Sequence, residues 1–191
     1  MAIPVQTFID RLTETHRVVI LGGLAVIAHG YSRHTQDADI WLDPLATPEE
    51  WADVLRKARG EFPQTTIHRL PKWTEVSDSD IAAAAEETGM VRILGLHCPL
   101  DVFRRPNEFK ELGFEEVVGR ARKNSDGTYL PSPLDLIQSK LDTGRDKDYK
   151  DTRTSNTSSP WSVPNTKNVC RWRIWRTRRK CSGATRNGRC C

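Results

Sequence analysis

The sequence predicts an α/β fold, on the border with α+β, in which a mixed β-sheet is flanked by helices. Short β-branched, apolar runs at Val18 to Leu21, Met90 to Leu96 and Cys98 to Phe103 have the length and composition of strands. Segments with helical spacing and recognisable ends alternate with them, Thr47-Pro48-Glu49-Glu50 being the clearest start. A chain of 191 residues is also long enough to bury a real core in one domain.

Charge divides the chain at Asp151. The last 40 residues carry ten Lys and Arg and no acid, which leaves nineteen basic and twenty-five acidic residues before them. The net +4 is therefore an acidic body of −6 and a basic tail of +10. Residues 1–151 are expected to form the domain. Residues 152–191 contain no Leu or Phe, only three β-branched aliphatics (Val163, Val169 and Ile174), three Trp and many Ser, Thr, Asn and Arg. Such a segment cannot bury enough apolar surface to offset its ordering entropy, so a disordered tail is expected.

No apolar run approaches the roughly 18 residues of a membrane helix. The opening MAIPVQTFIDRLTETH has polar and acidic residues where a signal peptide needs a basic end and an apolar block. A cytoplasmic protein without a membrane partner is expected, and Cys98, alone in the first 151 residues, suits a compartment without disulfides.

In chain order, the N-terminal segment reads as a helix with Phe8, Ile9 and Leu12 on one side. Val18 to Leu21 is a buried strand, Gly22-Gly23 a tight turn or close backbone approach, and Leu24, Ala25, Ile27 and Ala28 a mostly buried helix capped by His29-Gly30. DADIWLD then alternates, with Asp37, Asp39 and Trp41 on one face and Ala38, Ile40 and Leu42 on the other. The helix opened by Thr47 and Pro48 should bury Trp51, Val54, Leu55 and Ala58 and stop at Gly60. Thr65 to Leu70 is a candidate strand, Ser77 to Thr88 a helix ended by Gly89, and Phe109 to Ala121 a short helix or turn plus helix. NSDG at 124–127 marks a turn and Thr128 to Leu130 a brief strand. The last helix begins at Ser132-Pro133, with Leu134, Ile137 and Leu141 sharing a face beside Lys140.

The chemistry concentrates between Val18 and Asp43. Residues two apart on a strand share a face, so Asp37 and Asp39 present paired carboxylates. Gly22 and Gly23 stand where a strand gives way to a helix, a place where backbone N–H groups and the helix dipole favour phosphate. Asp101, an acid between apolar neighbours in CPLDVF, becomes a third carboxylate if that strand lies beside DADIWLD. Three converging carboxylates suit two Mg²⁺ ions (or Mn²⁺), able to activate a hydroxyl, orient a triphosphate and stabilise pyrophosphate as it leaves. An isolated Asp-x-Asp is otherwise a solvated strand edge.

GG-LAVIAHG-YSRHTQDADIWLD, with the third acid, resembles the signature of the nucleotidyltransferase superfamily with the DNA polymerase β-like core. More narrowly it is similar to bacterial AbiEii-type nucleotidyltransferases, the toxin halves of toxin–antitoxin pairs, and their small relatives. The resemblance covers about residues 10–151 and extends to SPLDLIQSKLDTGRDKDYKD, with Lys140, Arg145, Asp148 and Asp151. It implies a polymerase β-like fold and transfer of a nucleoside monophosphate from an NTP to an acceptor hydroxyl. Asp37 and Asp39 would hold the metals and Asp101 would help activate the hydroxyl. Gly22, Gly23, Arg33, Thr35, Lys140 and Arg145 would contact the nucleotide. The acceptor would be tRNA or another RNA end, a protein side chain or a small molecule, and an antitoxin protein would be a partner. His29 and His34 could suggest metal or acid–base roles, but the bland readings stay open: Lys140 and Arg145 as solvated helix-end charges, His29 as a packing residue, and Asp148 and Asp151 as a charged face with Lys147 and Lys150. A non-catalytic nucleotide- or RNA-binding relative, or an inactive truncated product, is the alternative.

The chain departs from the family at Gly23, where many relatives carry serine, and after Asp151, where they continue as leucine-rich helix. The Trp-, Arg- and Cys-rich tail has the composition of an out-of-frame translation. Its rival is a nucleic-acid arm, in which Arg171, Trp172, Arg173, Trp175, Arg176, Arg178, Arg179 and Lys180 interleave charge with stacking surface. Cys170, Cys181, Cys190 and Cys191 lack C-x-x-C spacing, which argues against zinc.

Overall fold

The computed structural model describes residues 2–32, 34–106 and 113–143. Within them the chain runs α1 (Val5–Thr13), β1 (Val18–Ile20), α2 (Gly22–Ala28), β2 (Ala38–Leu42), α3 (Pro48–Glu61), β3 (Thr66–Arg69), β4 (Thr74–Glu75), a 3-10 turn, α4 (Ile81–Thr88), β5 (Met90–Leu94), β6 (Leu100–Phe103), α5 (Phe114–Arg120), β7 (Arg122–Lys123), β8 (Tyr129–Leu130) and α6 (Pro133–Thr143). The eight strands form one sheet in the order β4-β3-β5-β6-β2-β1-β8-β7. It is mixed: β2 pairs in parallel with β6, and β1 with β8, while the other neighbours are antiparallel. The expected α/β class, a mixed sheet flanked by helices, is the one observed.

Alternation assigns the faces. Val18, Ile20, Ala38, Ile40, Leu42, Val91, Ile93, Leu100 and Val102 point to one side, where they join Phe8, Ile9 and Leu12 of α1, Trp51 and Leu55 of α3, and Ile81 and Ala84 of α4 in a single core. The opposite face carries a smaller cluster, in which Val19, Leu21 and Trp41 pack against Phe114 and Val117 of α5. Both faces are thus apolar around Trp41. Two residues along β2, β6 and β5 the second face turns polar, and the acids lie there.

The helix starts follow their chemistry. Thr47 Oγ1 accepts from the Glu50 N–H at 3.2 Å, and the Glu50 carboxylate accepts from the Thr47 N–H at 3.2 Å, a closed capping box with Pro48 at the first helical position. Gly60 does not stop this helix. It runs on to Glu61, and Phe62, which ends it, meets Phe8 with ring centroids 5.4 Å apart. Glycine permits a helix end without imposing one, and here the aromatic contact fixes the exit. Gly89 does act as expected, ending α4 in the left-handed region at φ 76°. The helix of residues 77–88 divides into the 3-10 turn and α4.

Three further details differ from the sequence expectation. The two-residue strands β4 and β7 complete hairpins with β3 and β8 and are too short to show a pattern. α2 is less buried than its apolar composition suggests, with Ile27 half-buried and Ala28 exposed. α6 is rotated, so that Leu134 is 77% exposed while Asp135, Leu136 and Ser139 face inward. The rotation is set at its first turn, where Ser132 Oγ donates to Asp135 Oδ2 at 2.8 Å and Arg120 of α5 pairs with Asp135 Oδ1 at 2.9 Å. No helix among the described residues is long and apolar enough to cross a membrane. The segment 152–191, with both readings of it, lies outside the described residues.

A candidate metal centre on the sheet

The polar end of the second face is built by register. β2 and β6 run in parallel with Asp39 directly opposite Asp101, and β6 and β5 are antiparallel with Asp101 opposite Arg92. β5 and β3 place Arg92 opposite His68, so His68, Arg92, Asp101 and Asp39 form one row across four strands. Asp37 precedes β2 and adds a third carboxylate. Asp37, Asp39 and Asp101 each offer an oxygen within 4.8 Å of the others, the first two half-buried and Asp101 buried at 6% exposure. The sequence expectation that these three acids converge is met.

The turn into α2 shapes the space beside them. Leu21, at the end of β1, donates its N–H to the Asp39 carbonyl at 2.8 Å. Gly22 follows with φ 52°, and a Cβ there would fall 2.0 Å from Asp39 Oδ2. The glycine is therefore required twice, for its left-handed backbone and for the room it leaves the carboxylate. Gly23 is the second residue of α2 and is buried. Thr35 is buried too, and its hydroxyl lies 2.8 Å from the Asp37 carbonyl, to which it donates, and 3.3 Å from Asp37 Oδ1. It orders the approach to Asp37.

Like charges placed directly opposite on a sheet repel, so the Asp39–Asp101 pair needs compensation. Arg92 supplies it: Nε donates to Asp101 Oδ1 at 2.5 Å, a second nitrogen donates to Oδ2 at 2.7 Å, and that nitrogen lies 3.7 Å from Asp37 Oδ2. Burial pushes the Asp101 carboxyl above the usual carboxylate range, the Arg92 hydrogen bonds and charge pull it back, and Asp37 pushes it up again, leaving it raised. The Asp101 hydrogen bond in turn holds the Arg92 guanidinium further above its ordinary value. The Trp73 indole lies over that guanidinium at 3.9 Å, a cation–π contact. His68 Nδ1 donates to the Trp73 carbonyl at 2.8 Å and steadies the β3–β4 turn.

Arg92, Trp73 and His68 are not marked by the sequence patterns of the acids. The available signal was that MVRIL and LDVF each hold one ionic residue of opposite sign among apolar ones, and buried charges are paired. Of the other candidates, His29 bonds the Pro131 carbonyl at 3.0 Å, a packing role at the end of α2, and His34 is exposed. The backbone of Lys140 belongs to α6. Its side chain, with Arg33, Arg145, Asp148 and Asp151, lies outside the described residues.

The donor set fits a hard divalent cation: three carboxylates from two neighbouring strands and the residue before one of them, no sulfur or imidazole among them, and a glycine where any side chain would intrude. No protein-family model matches this chain, and no curated protein matches it significantly.

Proposed function

We propose that the chain is a metal-dependent nucleotidyltransferase, which moves a nucleoside monophosphate from an NTP to a hydroxyl of an RNA end, a protein side chain or a small molecule. The observation that carries this reading is the meeting of Asp37, Asp39 and Asp101 on one face beside the Gly22 turn. It is supported by the resemblance of the Gly-Gly and Asp-x-Asp spacing to the polymerase β-like superfamily. Asp37 and Asp39, on the half-buried side, would hold the Mg²⁺ or Mn²⁺. Such an ion, when bound, neutralises triphosphate charge and favours departure of pyrophosphate. Gly22 and Gly23, at the start of α2, would contact the phosphates through their backbone N–H groups. Thr35 keeps Asp37 turned toward the site. Asp101, its pKa raised by burial, is the carboxylate that would take the proton of the attacking hydroxyl as general base once released from Arg92. By the same resemblance, the chain would be the toxin of a toxin–antitoxin pair with an antitoxin protein as partner.

One observation favours a second reading, a nucleotide-binding relative without turnover: both oxygens of Asp101 are engaged by Arg92. Incubation of the full chain with each α-labelled NTP, Mg²⁺, total tRNA and protein acceptors separates the two. Label transfer that disappears in Asp37→Asn/Asp39→Asn identifies the transferase and its acceptor class. NTP binding with no transfer and no pyrophosphate release establishes the second reading instead.

A further inference from the structure

The three carboxylates and Arg92 together carry a charge of −2, which one divalent cation balances and two exceed. Arg92 is fixed on two sides. Its guanidinium forms a bidentate pair with Asp101 on one side and lies under the Trp73 indole on the other, with the Arg92 side chain 19% exposed. Trp73 itself has a left-handed backbone, φ 52°, a conformation disfavoured for a bulky residue and retained only where surroundings impose it. Here the surroundings are the His68 bond to its carbonyl and the stack on Arg92. A strained aromatic thus holds a cation against the acids.

We propose that Arg92 is the resident counter-ion of the carboxylate triad, a positioning residue that neutralises Asp101 in the metal-free protein and competes with a divalent cation for it. The inference rests on the metal reading above and sharpens it. Asp37 and Asp39 would hold the cation, and Asp101 would join them only as Arg92 withdraws. Removing the guanidinium charge therefore tightens cation binding. A purely structural arginine would have the opposite effect, because its loss would let Asp101 drift.

Manganese titration of the full chain, followed by the paramagnetic signal of free Mn²⁺, tests this with wild type, Arg92→Met, Arg92→Lys and Asp37→Asn/Asp39→Asn. The expected result is Mn²⁺ binding about tenfold tighter in Arg92→Met, an affinity near wild type in Arg92→Lys, which keeps the charge, and no site in the double variant. Mg²⁺ should also raise the melting temperature of Arg92→Met more than that of wild type. If Arg92→Met is too unstable to titrate, Trp73→Ala removes the stack alone and should bind Mn²⁺ severalfold more tightly than wild type. Wild-type binding that the double variant abolishes, with neither Arg92→Met nor Trp73→Ala tightening it, overturns the counter-ion and leaves the metal centre standing. Wild-type binding indistinguishable from that of the double variant overturns both.

Discussion

The row His68, Arg92, Asp101, Asp39 and the row Met90, Phe103, Trp41, Val19, Tyr129 cross the same face of one sheet, two residues apart along the shared strands. The second is covered by Phe114 and Val117 of α5, with Trp41 edge-on to Phe114 at 5.2 Å and its indole N–H donating to the Arg104 carbonyl at 3.1 Å. The first is held by ion pairs and leaves Asp37 and Asp39 half-buried. Since the backbone is common to both, the difference lies in what each strand places at alternate positions. One row fixes the sheet to a helix. The other uses the rigidity so gained to hold carboxylates closer than they would stay in water.

The comparison breaks first at the acids. Asp37→Asn/Asp39→Asn should lower label transfer by about a thousandfold or more, while the melting temperature stays level or rises as like-charge repulsion is relieved. A large loss of stability would instead make the acids structural members of the sheet. In the apolar row the dependence reverses. Trp41→Ala should cost about 3–5 kcal/mol in denaturant unfolding, yet leave Mn²⁺ affinity within a few-fold of wild type wherever the protein stays folded.

Gly22→Ala lies where the two demands meet. The left-handed backbone alone costs an alanine about 1–2 kcal/mol. The added methyl would displace the Asp39 carboxylate, because its position is 2.0 Å from Oδ2. Mn²⁺ affinity should therefore fall about tenfold, beyond anything the loss of stability explains. An unchanged affinity would show that Asp39 can move and still bind.

Much of this arrangement can be read along the chain. The period of two in DADIWLD separates Asp37 and Asp39 from a fully apolar face, and an acid in LDVF stands out because a buried carboxylate needs a partner. The Thr47-Pro48 helix start and the Gly89 stop are local chemistry, and both appear as expected. What the chain does not display is register. Asp39 and Asp101 are sixty-two positions apart, and their pairing depends on a parallel crossover through α3, three strands and α4. Trp73 reaches Arg92 only through a hairpin whose second strand has two residues. The face of α6 was concealed for a related reason: Arg120 and Ser132 hold Asp135 inward, an ionic choice that apolar spacing cannot anticipate.

The weakest tie tests how far the cover of the apolar row depends on charge. Arg17 pairs with Asp43 at 2.7 Å and with Glu115 at 2.5 Å, and lies over the Phe114 ring at 5.1 Å, so it links the end of β2 to the first turn of α5. The Arg17 hydrogen bond holds the Glu115 carboxyl below its ordinary 4.5. A depressed carboxylate contributes stability that is fully present above the unfolded value and disappears as pH falls through the folded one. Wild type should therefore be slightly more stable than Glu115→Gln at neutral pH, with the gap closing on acidification below about 4.5. The effect should be small and weaken with salt, because the carboxylate is exposed. Thermal melts of the two proteins across that range measure it. A gap that persists at low pH would assign the contribution of Glu115 to its contacts at the start of α5, and the charge would then add nothing to the apolar cover.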